Sequence, residues 1–159
     1  MSILHARIAP LPQPFLDRAR GEGLDALDQP VKRVRAAGGE PCRDVLRRAE
    51  PGEELILASF SPFSKAGPYR EFGPVFILAN DATSAASDAL HVGGDSDYLR
   101  AQFVVRAYSA EEEILDAAMT DRASAQDVVD GFFARPETAF LHVRFPTYGC
   151  FACRLDRPA

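Results

Sequence analysis

Phe140-Leu141-His142-Val143-Arg144-Phe145-Pro146-Thr147-Tyr148-Gly149-Cys150-Phe151-Ala152-Cys153-Arg154-Leu155-Asp156 is the stretch that decides the fold. Two strands joined by a Pro/Gly turn account for it. Leu141, Val143 and Phe145 share one face of the first strand, and His142 and Arg144 take the other. In the second strand Phe151, Cys153 and Leu155 oppose Cys150, Ala152 and Arg154. A slip of one residue would expose a whole apolar face, so aligning those faces sets the register. It pairs Arg144 with Cys150 and His142 with Ala152, bringing the thiol beside Arg144 and within reach of His142. Cys153 then points into the core.

Upstream, the apolar runs Leu55 to Phe60 and Val75 to Ala79 read as strands, the second buried on both faces. Gln102 to Tyr108 alternates, with Phe103, Val105 and Ala107 on one side. Ile3 to Ile8 and Val31 to Arg35 are weaker strands. Pro14 begins a short helix that Gly21 ends. Ser124 opens another, in which Val128, Val129, Phe132 and Phe133 form the buried stripe. Asp81 to Leu90 reads as a weak helix of small residues. Glu111 to Thr120 stays open between helix and hairpin return, because its glutamates and alanines favour helix. The expected fold is α+β: a mostly antiparallel sheet with two or three helices, in one domain over 1–159, without the regular β-α-β alternation of a parallel sheet.

The chain has 159 residues, 47% of them apolar and 26% charged, which suits a domain that folds without metal or disulfide. A net charge of −5, with arginines scattered among acids, disfavours nucleic acid as a partner. No secretory leader and no apolar run of about 18 residues is present, so a cytoplasmic, membrane-free protein is expected. Three cysteines cannot all pair within one chain and are expected as thiols. A homodimer is the simplest assembly to expect.

Positions i and i+3 of an extended strand face opposite ways, so Cys150 and Cys153 make neither a redox pair nor a shared metal site. Cys42, His142, Cys150 and Cys153 have zinc-compatible side chains but lack a second close ligand pair, so no metal or cofactor is expected. His91, Asp95 and Asp97 lack any calcium-loop or zinc-helix spacing. Phosphate-loop, dinucleotide and nucleophile-elbow motifs are absent.

Pro41-Cys42-Arg43, Pro51-Gly52-Glu53, Pro68-Tyr69-Arg70 with Gly73-Pro74-Val75-Phe76, Arg106-Ala107-Tyr108, and His142 followed by Gly149-Cys150-Phe151 form an ordered set. This set resembles a bacterial family, domain of unknown function 1203, from about Pro41 to Arg157. The resemblance implies no activity, since the family has none established. It does imply that Cys42 and Cys150 sit at family cysteine positions, that Cys153 is peculiar to this chain, and that Arg144 replaces a second histidine.

Two functions follow. One is a domain that binds a small anionic molecule or a protein partner through Cys42, Arg43, Tyr69, Arg70, Arg106 and Arg144, since arginine offers a planar fork of donors to an anion. The alternative is a thiol enzyme with Cys150 as nucleophile, His142 as base and Arg144 as the anion-binding group.

Overall fold

A computed structural model describes residues 2–80, 90–93 and 97–158, so the helix expected over 81–90 lies almost wholly outside the described residues. In chain order the strands are β1 (Ser2–Ile3), β2 (Arg7–Ala9), β3 (Lys32–Arg35), β4 (Pro41–Cys42), β5 (Arg47–Arg48), β6 (Glu54–Phe60), β7 (Gly73–Leu78), β8 (His91–Val92), β9 (Gln102–Tyr108), β10 (Ile114–Asp121), β11 (Phe140–Arg144) and β12 (Phe151–Asp156). Two helices accompany them: α1 (Gln13–Asp17), which runs on into a π-helical turn at Arg18–Glu22, and α2 (Ala125–Phe133). Strands therefore dominate, and they form two five-stranded sheets rather than one, β10-β9-β11-β12-β2 and β3-β6-β7-β4-β5, beside a two-stranded ribbon of β1 and β8. Every described pairing is antiparallel except β4 with β7.

Period-two alternation places the core of the first sheet. Phe103, Val105 and Ala107 of β9 line up with Leu141 and Val143 of β11 and with Cys153 and Leu155 of β12. Against that face α2 lays Ala125, Val129, Phe132 and Phe133. Each fully buried aliphatic there stabilises the fold by roughly 1.5–3 kcal/mol. Ser124 precedes α2 without a side-chain cap bond; the Asp121 carboxylate instead accepts the N–H groups of Ala123 and Ser124. Glu111 to Thr120 resolves toward strand, because β10 gains a full ladder against β9 that outweighs local helix propensity.

The second sheet is apolar on both faces. Ile56, Ala58, Val75 and Ile77 pack against Leu11, Leu16 and Ala19, while Leu55 and Leu78 pack against Cys42 and Val45. Phe151 joins the first of these clusters, tying the two sheets together. The edge strand β3 carries Lys32, Arg33 and Arg35 exposed, a charged edge that resists pairing with another chain.

The hairpin differs from the simple alignment by a bulge. Val143 pairs with Cys153, yet Arg144 pairs with Phe151, which leaves Ala152 as the extra residue. His142 consequently faces Arg154, and Arg144 does not face Cys150. The tight end is closed by Phe145 N–H donating to Cys150 O at 3.0 Å and Gly149 N–H donating to Phe145 O at 2.8 Å. Gly149 has φ +74°, a left-handed conformation that a side chain would strain.

Candidate functional site

The bulge organises what surrounds it. Two successive carbonyls, Phe151 O and Ala152 O, take side-chain donors: Arg43 Nε at 2.8 Å and the Tyr98 hydroxyl at 2.7 Å. Tyr98 O in turn accepts Arg48 Nε and Nη2 at 3.0 and 2.8 Å, and Arg48 Nη1 donates to Gly39 O at 2.9 Å. Both guanidiniums lie over the Phe145 ring, that of Arg43 at 5.2 Å and that of Arg48 at 5.1 Å from its centroid. Each contact is a cation–π interaction worth about 0.5–2 kcal/mol.

Arg43, Arg48 and Phe145 wall a cavity of about 570 Å³ together with Arg100, Cys150, Tyr148 and the apolar side chains Leu57, Pro74, Phe76 and Leu99. That volume falls within the range of small-molecule sites, roughly 300–1,000 Å³. Leu57 and Phe76 are partners across β6 and β7, so the second sheet forms one side and the hairpin turn the other. Tyr148, 88% exposed, stands at the mouth.

The electrostatics of this wall are unusual. Arg43 is only 5% exposed and donates to two backbone carbonyls, Phe151 O and Pro41 O. Among the described residues neither it, nor Arg48, nor Arg100 forms an ion pair with a carboxylate. Asp97, whose field reaches Arg48, is bound to Arg122 at 2.5 Å. Burial works against the charge of Arg43 and Arg48, and Arg100 adds like-charge repulsion on Arg48. The Cys150 thiol lies within the electrostatic reach of Arg43, its Sγ 3.8 Å from Tyr148 O.

Of the residues singled out in the sequence, Arg43 and Cys150 meet here. Cys42 does not: it is wholly buried, its Sγ sits 3.6 Å from Glu40 O, and burial pushes its thiol up to about 12. Cys153 is likewise a core residue with its thiol pushed up to about 12 by burial. Tyr69 is exposed and Arg70 stacks over Phe72 at 5.2 Å, away from this wall. Arg106 and Arg144 share one partner, Glu71 Oε1.

His142 lies on the opposite face, inside the rings of Phe63, Tyr108, Phe140 and Phe151 at centroid distances of 5.1, 4.7, 5.1 and 5.1 Å. Neither of its nitrogens has a hydrogen-bond partner. Burial, then Arg144, Arg154 and Arg106, hold its pKa well below the usual 6.5, so it is neutral at physiological pH. Among the described residues no three His, Cys, Asp or Glu side chains gather as metal ligands, and no helix is long and apolar enough to cross a membrane.

Arg48, Arg100, Tyr98 and Phe145 are the functional candidates that sequence reasoning misses. One signal was available. Arg47 and Arg48 are adjacent in a strand, so their side chains must diverge, and Arg47 takes the Glu53 carboxylate.

Comparison with known proteins adds the family and nothing on activity. The family model described as Protein of unknown function (DUF1203) matches residues 39–157, which includes every arginine of the cavity wall. No curated protein and no solved structure matches at a significant level.

Proposed function

Since the chain belongs to this family of unknown function (DUF1203), we propose from the cavity alone that the protein binds a small amphipathic anion. One observation carries the reading. Three arginines, two of them drawn out of water, converge on a largely apolar cavity, and among the described residues none of the three forms an ion pair with a carboxylate. Burying unpaired charge costs several kcal/mol, so an arrangement of this kind is best offset by an anion from solution. The apolar side formed by Leu57, Phe76 and Leu99 favours a ligand with a hydrocarbon or aromatic body over a bare inorganic ion. Thiol chemistry at Cys150 with His142 as its base lacks comparable support, because the imidazole has no hydrogen-bond partner.

The test uses benzoate and octanoate beside benzamide and octanamide, followed by amide NMR shifts of the full chain. Saturable shifts at Phe145 and Gly149 are expected from a carboxylate, weakened by salt, and not from its amide. Equal responses to acid and amide, or shifts confined to other regions, would remove the anion from the proposal.

A further inference from the structure

A second cationic group lies on the His142 face of the first sheet, and the cavity ligand does not account for it. Arg144 is 5% exposed and lines an adjoining crevice of about 140 Å³ with Glu71, Phe72, Gly149 and Cys150, the last of which also lines the larger cavity. Its Nη1 donates to Gly149 O at 3.3 Å. Its Nε is buried and has no hydrogen-bond partner among the described residues. Its Nη2 is buried too, and meets only Glu71 Oε1. The same oxygen is 3.5 Å from Arg106 Nη1.

Nε and Nη2 form the side-on edge of a guanidinium, the fork that takes two oxygens of one oxyanion. Here the whole edge is offered a single oxygen. Charge is short as well: among the described residues, the ion pairs of Arg106, Arg144 and Arg154 use two carboxylates, Glu71 and Asp156. His142, held neutral, adds none. The crevice is too small for a drug-sized ligand. It has room for about four waters at roughly 30 Å³ each, the space of a phosphate-sized ion with a water or two. Glu71 reaches in from the largely exposed loop between β6 and β7, so it can leave without disturbing either sheet.

We propose that the crevice at Arg144 is a second anion site, for a tetrahedral oxyanion of phosphate size, and that Glu71 is a tethered carboxylate which such an ion displaces. The site does not depend on the amphipathic ligand of the larger cavity.

Thermal unfolding and phosphate titration of the full chain test it, with wild type and Glu71→Gln compared in phosphate and in chloride at matched ionic strength. Glu71→Gln should melt lower than wild type in chloride, and phosphate should restore the loss. Its affinity for inorganic phosphate should be about fivefold tighter than that of wild type, the effect of removing one competing, partly exposed ion pair. Methyl phosphate separates the sources: a gain limited to inorganic phosphate assigns the free ion, and equal gains assign the terminal group of a small ester. Either result carries the proposal. Adding Arg106→Gln should weaken the response, whereas Arg48→Met should leave it intact. A Glu71→Gln protein no more responsive to phosphate than wild type would overturn the site, as would a response lost with Arg48→Met.

Discussion

Arg47 and Arg48 are neighbours in a two-residue strand, and their charges are used in opposite ways. Arg47 meets Glu53 through two parallel bonds of 2.8 and 2.9 Å, and that fork holds the Glu53 carboxyl down at about 2. Arg48 bonds only backbone carbonyls and stacks on Phe145 at the cavity wall. The contrast extends across the molecule. Arg20 resembles Arg47, pairing at 2.8 Å with the buried Asp44, whereas Arg43 resembles Arg48, with carbonyl partners and no acid. Paired arginines staple elements together. The others, without an acid among the described residues, are the ones the proposed anion would meet.

The paired set can be broken first, with the largest effect. Asp44 accepts Arg20 and also the Leu78 N–H at 3.3 Å. Asp44→Ala leaves a largely buried guanidinium without its carboxylate, its Nε still bonded to Leu78 O, and takes an acceptor from the Leu78 N–H, so unfolding in denaturant should show a loss of about 3–5 kcal/mol. A loss under ~1 kcal/mol would show that pairing does not define a structural class here.

The His142 cage extends the comparison to a group that carries no charge at all. Below pH about 6.5 the unfolded chain protonates this imidazole and the folded chain does not, because burial and Arg144, Arg154 and Arg106 oppose the charge. Stability from this source is complete above pH 6.5 and falls as the pH drops below it, by up to about 1.4 kcal/mol per pH unit. His142→Leu should flatten that slope. It should cost less than about 1 kcal/mol at pH 8, since two unpartnered nitrogens give way to apolar atoms of similar volume. An unchanged slope would assign the acid sensitivity to carboxylates such as Glu53.

How much of this was legible in the sequence follows from the range of the interactions. Leu55 to Phe60, Val75 to Ala79 and Gln102 to Tyr108 declare themselves through their own alternation or apolar runs, and they fall on β6, β7 and β9, with β7 running from Gly73 to Leu78. β4 and β5 do not, because two residues hold no period. The position of Cys150 was missed by one residue. The bulge at Ala152 is held by Tyr98 and Arg43, 54 and 108 positions away from the carbonyls they bond, and nothing within the hairpin announces them. The cavity inherits that difficulty. Arg43 follows β4, Arg48 lies in β5 and Arg100 precedes β9, so only the tertiary fold brings them together.

Arg100 offers the smallest and sharpest test. It is exposed, forms no ion pair among the described residues, and holds φ +65°, which costs an ordinary side chain about 1 kcal/mol. A surface residue with that conformation and no ion pair among the described residues should be free to change. Asn tolerates the left-handed region better, so Arg100→Asn should stabilise the fold by about 0.5 kcal/mol. If Arg100 belongs to the unpaired, ligand-facing set, the same change should weaken octanoate or benzoate binding about fivefold, the effect of one partly screened charge. Stability and affinity would then move in opposite directions at one position, the pattern of a residue kept for binding at the expense of the fold. A fall in stability would place Arg100 with Arg47 and Arg20. Unchanged affinity would confine the cavity's charge to Arg43 and Arg48.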